Sequence, residues 1–163
     1  MTQPLKPLIF VDSNVLIEGL LENFAAAKTI ITLANYKKIN LMTCQQVITD
    51  VEDELLEQSK AIQEFNIILE TWQKMLQKTR LKIVPDPDLT DVLEIKVQYL
   101  PLMHHLADIP ILTAALKANP RPKIILSGNR KHFNDKVAKK CGIPIYSCSE
   151  YIQLHISIGL DSQ

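Results

Sequence analysis

The chain is poor in cysteine. It has three, Cys44, Cys141 and Cys148, odd in number and scattered. No C-x-x-C pair occurs, which argues against a structural zinc site and fits a reducing compartment. Aromatic residues are only 6% of the total, so base stacking is not expected to be the main way of recognising a nucleic acid. No stretch approaches ~18 uninterrupted apolar residues, and no membrane span is expected. The opening MTQPLKPLIFVDSN lacks the long apolar region of a signal peptide, so the expected location is cytoplasmic. An excess of charge of either sign is also missing: 18 basic residues balance 18 acidic ones. Net charge therefore makes no case for nucleic acid, although a local basic face would suffice for binding. There is no internal repeat, low-complexity segment or linker.

The 163 residues suit one domain spanning 1–163. A domain of that size buries roughly 70% of the surface its unfolded chain exposes, so it needs no disulfides to hold a core. A content of 47% hydrophobic and 22% charged residues is ordinary for a soluble globular protein.

Short β-rich apolar runs predict strands at 8–11, 41–42, 81–84, 123–126 and 143–146. Between them, apolar residues recur at helical spacing. Helices are predicted at 15–21 with Ser13 as cap, at 24–37, and from Cys44 with the stripe Val47, Ile48, Val51 and Leu55. A long helical tract follows at 60–78, then helices at 92–100, 111–118 and 133–141, and a last one from Ser149 to about Ile158. Pro110 suits the first turn of its helix, and Gly142 stops the one before it. Strands that alternate with helices indicate an α/β fold, a central parallel sheet covered on both faces.

Such a sheet gathers its strand ends along one edge, where ligands bind. The first strand delivers Asp12 and Asn14, and the fourth delivers Ser127 and Asn129. Asp108 precedes a helix of the same architecture, and Asp50 follows the second strand on its helix. Oxygen ligands of this kind suit Mg²⁺ or Mn²⁺. Other readings compete. Asp12 and Asp108 are placed where helix caps occur, and Asp50 lies in an acidic stretch suited to a solvated face. His104 and His105, if helical, point about 100° apart and do not chelate one ion, so they are expected at a polar surface. Met42, Trp72 and Met103 are expected in the core, and Cys44 as a buried small residue.

Four segments, in order, resemble the PIN domain family of metal-dependent nucleases, and the VapC-like toxins among them. IFVDSNVLIEGL is similar to the family's strand–Asp–Ser/Thr–Asn motif, and HHLADIPILTAALKA to its Asp-x-x-Ile/Leu helix start. KIILSGNRKHF looks like the strand and Ser/Thr-Gly-Asp turn, and AKKCGIPIYSCSEYIQL like the closing helix–strand–helix. The likeness runs from residue 8 to about 155. It implies a three-layer α/β/α fold with Asp12 and Asp108 as primary metal ligands, Asn14 orienting Asp12 or a water, and Ser127 hydrogen-bonding near the site. The family's second acid falls in TCQQVITDVEDEL, where Asp50 aligns best and Glu54, one turn on, is the fallback; Glu52 points elsewhere on the helix. The family's fourth acid is Asn129 here, so three carboxylates are present instead of four.

The implied activity is hydrolysis of RNA phosphodiester bonds, with Mg²⁺ or Mn²⁺ activating a water and offsetting phosphate charge. Arg121, Lys123, Arg130 and Lys131 flank the fourth motif and are expected to form a basic rim that binds RNA; Lys136, Lys139 and Lys140 follow on the next helix. The resemblance further implies a toxin of a toxin–antitoxin pair, an antitoxin partner and a homodimer. Asn129 keeps open a second reading, a weakened or inactive PIN module that binds RNA or a protein. A phosphohydrolase of the haloacid-dehalogenase type would also use Asp12, but Asn14 stands where that chemistry needs a second aspartate.

Overall fold

The computed structural model describes residues 6–21 and 24–155. In chain order the elements are β1 (Leu8–Val11), α1 (Ser13–Leu21), α2 (Ala25–Asn35), β2 (Asn40–Cys44), α3 (Gln45–Gln58), α4 (Ile62–Thr79), β3 (Lys82–Val84) and α5 (Leu89–Tyr99). A 3₁₀ turn (Leu106–Asp108) leads into α6 (Ile109–Lys117), followed by β4 (Ile124–Leu126), α7 (Asp135–Cys141), β5 (Ile145–Tyr146) and α8 (Cys148–His155).

The five strands form one parallel sheet in the order β3-β2-β1-β4-β5. A central parallel strand is covered on both faces, which is why Ile9-Phe10-Val11 and Ile124-Ile125-Leu126 are unbroken apolar runs, all buried. From β1 the chain steps outward to β2 and β3, then returns past β1 to β4 and β5. Right-handed crossovers put α1–α4 on one face and α5–α7 on the other. Contacts agree: α1 packs on α2, α3 and α4, α5 packs on α6, and α8 returns to pack on α2. This is the three-layer α/β/α arrangement. The connections after β1 and β4 leave for opposite faces, so a crevice forms between the carboxyl ends of these two strands.

Trp72, on the long helix α4, is fully buried, as are Phe10, Met42 and Met103. Burying an indole removes on the order of 200 Å² from water, roughly 5 kcal/mol. Its N–H reaches Glu52 Oε1 at 3.1 Å, so the one polar atom of the side chain is not stranded.

Several boundaries differ from expectation for identifiable reasons. Asp88 accepts from Asp91 N at 2.9 Å and starts α5 at Leu89 rather than 92. Asn134 caps α7, which therefore starts at Asp135 and leaves Phe133 in the core. α8 starts at Cys148, not Ser149, because Ser147 and Glu150 form a reciprocal capping box, Glu150 N to Ser147 Oγ at 3.2 Å and Ser147 N to Glu150 Oε1 at 2.9 Å. The predicted end of this helix, 156–158, lies outside the described residues.

Candidate functional site

Val11 pairs with Leu126, so the next residues, Asp12 and Ser127, emerge side by side. Asp12 N donates to Leu126 O at 3.0 Å, which extends the ladder to the rim. Asp12 is 5% exposed and Ser127 is fully buried. Ser127 Oγ donates to Asp12 Oδ2 at 2.8 Å, and Asn129 N donates to Ser127 Oγ at 3.1 Å. The other carboxylate oxygen, Oδ1, accepts from Ser13 N at 2.8 Å. Asp12, not Ser13, thus serves the first N–H of α1, and one carboxylate both starts the helix and faces the crevice. Burial pushes the Asp12 carboxyl above the usual range. The hydrogen bonds from Ser127 and Ser13 oppose that shift, and the charges of Asp108 and Asp50 add to it.

Asp108 ends the 3₁₀ turn, and its side chain makes no capping hydrogen bond. It instead meets two histidines: Oδ2 lies 2.6 Å from His132 Nδ1 and 3.3 Å from His105 Nδ1. The two imidazoles are stacked, with centroids 4.7 Å apart and planes within 8°. His132 Nδ1 also lies 2.8 Å from Asn129 Nδ2. One ring nitrogen has a single in-plane direction for its proton or lone pair, so it does not serve both neighbours. Asp108 Oδ2 is accordingly buried with no aligned donor, despite the short approach.

Neither histidine was expected here. Residues 103–105 are not helical, so His104 and His105 do not share a helix. His104 is exposed, whereas His105 joins Asp108 three residues on and His132 across the fold. No short sequence spacing links His105 to His132; only the packing of the β4–α7 turn against the loop before α6 brings them together.

Asn14 Oδ1 accepts from Gly128 N at 2.9 Å. It therefore ties the ends of β1 and β4 together rather than holding the Asp12 carboxylate. A Cβ on Gly128 would sit 3.3 Å from the Asn14 amide, a tight contact to which the Asn14 side chain would have to yield by a few tenths of an ångström. Asp50 accepts from Gln46 Nε2 at 2.8 Å, half-buried on α3. Its charge acts on Asp12, whereas that of Glu54, bonded by Gln58 Nε2 at 2.7 Å, does not figure there. Asp86, at the end of β3, was not anticipated as a functional acid. It accepts from Gln46 N at 2.8 Å and so serves the start of α3.

The expected basic rim divides. Arg121 and Lys123 precede β4, and Lys123 N bonds to Leu8 O, at the start of β1. They are therefore at the opposite edge of the sheet from Asp12. Closeness in sequence misleads here because a strand carries its two ends to opposite edges. Arg130 is committed internally, to Asp135, to Glu150 at 3.2 Å and to the Phe133 carbonyl. Lys131, in the turn after β4 and next in sequence to His132, is exposed. Burial pushes the Cys44 thiol up to about 11 and Cys148 up to about 12, which removes both as thiolate nucleophiles.

The arrangement fits a divalent cation. His105, Asp108 and His132 offer ligand atoms that all lie within 4.8 Å of one another. The buried Asp108 oxygen accepts no hydrogen bond, and each Asp12 oxygen retains a second lone pair. Carboxylates with imidazoles suit Mn²⁺ and its transition-metal neighbours better than an all-oxygen set does.

No family model matches the chain, and no curated protein matches it. Solved structures do. VapBC2 from Rickettsia felis, crystallised bound to a DNA fragment from its promoter, matches at 12% identity and TM-score 0.61, over 86% of this chain and 98% of that one. FitAcB from Neisseria gonorrhoeae matches at 14% and 0.61, over 86% and 97%. PAE2754 from Pyrobaculum aerophilum matches at 16% and 0.57, over 96% and 91%. At such identities the likeness establishes the fold, which is PIN-domain-like.

Proposed function

We propose that this PIN-like chain is a divalent-cation-dependent endoribonuclease of the toxin type, hydrolysing RNA phosphodiester bonds at the carboxyl edge of its sheet. The observation that carries the reading is the pair of low-exposure carboxylates at the β1/β4 switch point: Asp12, gripped by Ser127, and Asp108, with a buried oxygen that no donor satisfies. Two such carboxylates and the nearby Asp50 repel one another unless a cation lies among them.

Asp12 and Asp108 would hold Mg²⁺ or Mn²⁺, with Asp50 completing the carboxylates and His105 and His132 adding nitrogen donors. A bound cation of this kind supplies a water of lowered pKa and offsets charge on the phosphate. Ser127 keeps the Asp12 carboxylate in one orientation, with its remaining lone pairs free. Asn14 and Gly128 lock the two strand ends at one spacing. Lys131 is the exposed cation positioned to meet the substrate backbone. The likeness to VapBC2 and FitAcB supports the toxin subclass, and with it an antitoxin partner; the proposed homodimer rests on the motif resemblance alone.

Asn129 favours a second reading. Its amide nitrogen faces His132 at 2.8 Å, and its side chain adds no negative charge to the site. With one carboxylate fewer, a catalytically weak module that still binds RNA is the alternative.

The test is cleavage of labelled RNA with Mn²⁺ or Mg²⁺, beside Asp12→Asn and Asp108→Asn. Loss beyond the ~100-fold seen when a mere supporting partner is removed is expected for both variants. Cleavage unchanged in both would sink the assignment. Intact RNA binding with no cleavage under any divalent ion would favour the weak module.

A further inference from the structure

The amino edge of the sheet, far from the acidic residues, carries a cleft of about 460 Å³ with Leu8 and Leu41 in its lining. Five cationic residues line it: Lys6, Arg80, Lys82, Arg121 and Lys123, and no acidic side chain does. All five are exposed. Arg121 donates to the Cys141 carbonyl at 2.7 Å. Among the described residues, none of the five enters an ion pair.

Helix carboxyl ends face this edge, and their partial negative charge draws cations. One lysine there would need no ligand. Five around one acid-free cleft exceed that requirement, and the backbone adds an independent sign. The two non-glycine residues with positive φ among the described residues are Lys37 (57°) and Arg80 (51°). Each stands in a helix-to-strand connection entering this edge, ahead of β2 and β3. Glycine adopts that conformation freely, and an L side chain pays for it, by roughly 1 kcal/mol or more. The corresponding turn before β5 uses Gly142, at φ 74°. Cations thus stand at two strained positions where glycine would be less costly, and with Lys38 they extend the basic strip past the cleft along the α2–β2 turn.

We infer that this basic cleft is a second nucleic-acid contact, which binds the phosphodiester backbone of single-stranded RNA at a distance from the acidic residues. The inference rests on the proposed RNA substrate and adds where the rest of that RNA runs. A row of exposed, solvated cations suits successive phosphates, each contact releasing a counterion, better than it suits one enclosed anion. The separation matters as well. The four residues of β1 rise about 13 Å, so the acidic edge can cut without repelling the strand held below it. A dinucleotide does not reach both edges, whereas a long strand does.

The experiment measures anisotropy of a labelled oligouridylate in chelator, so that cleavage and cation binding play no part. It compares the parent, the triple variant Lys6→Gln/Lys82→Gln/Lys123→Gln and an equally charge-changed control, Lys60→Gln/Lys74→Gln/Lys96→Gln. Thermal melts confirm that each is folded. The triple variant is expected to bind ~10-fold or more weakly and to lose about 2 from the slope of log affinity against log salt, at ~0.7 per lost phosphate contact on a single strand. The control and the turnover of a dinucleotide stay at parental values. Equal affinity and slope in parent and triple variant would overturn the inference. So would an equal loss in the control, or RNA binding indifferent to the triple variant while a poly-glutamate probe binds through the cleft. Failure of the nuclease reading has a different signature: no RNA is cut, yet the triple variant still loses affinity.

Discussion

The two edges of the sheet have opposite electrostatic character in a chain whose formal charge is zero. The carboxyl edge holds Asp12, Asp50 and Asp108, low in exposure and fixed by short hydrogen bonds or stacked rings. The amino edge holds Lys6, Arg80, Lys82 and Lys123, exposed and without ion pairs among the described residues. Parallel strands impose this polarity. Helices that directly follow a strand, such as α1 and α3, begin near the carboxyl edge with their partial positive charge, and those that directly precede one, such as α2 and α4, end near the amino edge with their negative charge. Carboxylates and cations are therefore each easier to accommodate where they occur. The difference teaches that a balanced total is no argument against nucleic acid, because the fold separates the signs. It also shows two kinds of site: one in which burial and fixed geometry make charge costly, and one in which exposure keeps it cheap.

The contrast can be broken at the acidic edge first. Ser127→Ala leaves Asp12 without the donor to Oδ2, and a supporting bond of that kind typically contributes 10–100-fold to cation affinity. Calorimetric titration with Mn²⁺ is expected to show a loss in that range, and unchanged affinity would mean that Asp12 does not hold the ion. A smaller effect tests the cost of burial. The folded Asp12 carboxyl titrates above its unfolded value. Its contribution is therefore fully present below the unfolded value of ~3.9 and is lost as pH rises through the folded one. At neutral pH without cations the buried charge destabilises the fold. Asp12→Asn should then raise the melting midpoint by about 2–4 °C per kcal/mol recovered, with the gap closing on acidification. A lower midpoint than the parent at neutral pH would contradict this. The smallest effect belongs to the basic edge. Arg80→Gly relieves a left-handed residue and should add up to about 1 kcal/mol in urea denaturation while weakening RNA binding. A stability loss would show that Arg80 is held there by packing.

Much of the fold was legible because its signals are local. The runs Ile9-Phe10-Val11 and Ile124-Ile125-Leu126 suit strands covered on both faces, and their alternation with helical segments indicates the parallel sheet, while Pro110 and Gly142 mark a helix start and a stop. The start of α8 was misplaced by one residue because two serines compete for the cap, and only Ser147 has Glu150 three residues on. Among candidate site residues, Asp12 and Ser127 were found because each directly follows a strand. His105 and His132 were missed, since 27 positions separate them and neither belongs to a periodic pattern. Arg121 and Lys123 were assigned to the wrong edge, because nearness to the fourth motif in sequence was taken as nearness in space.

By itself the sequence determined the alternation of strands and helices, the parallel sheet and the delivery of Asp12, Ser127 and Asn129 to strand ends. These depend on periodicity and on residues a few positions apart, which the chain encodes directly. The tertiary structure alone decided the rest: that Asp108 meets His105 and His132, that Asn14 holds Gly128 rather than Asp12, and that the cations divide between two edges. Those outcomes depend on strand order and on which faces the crossovers take, and both emerge only when the whole core packs.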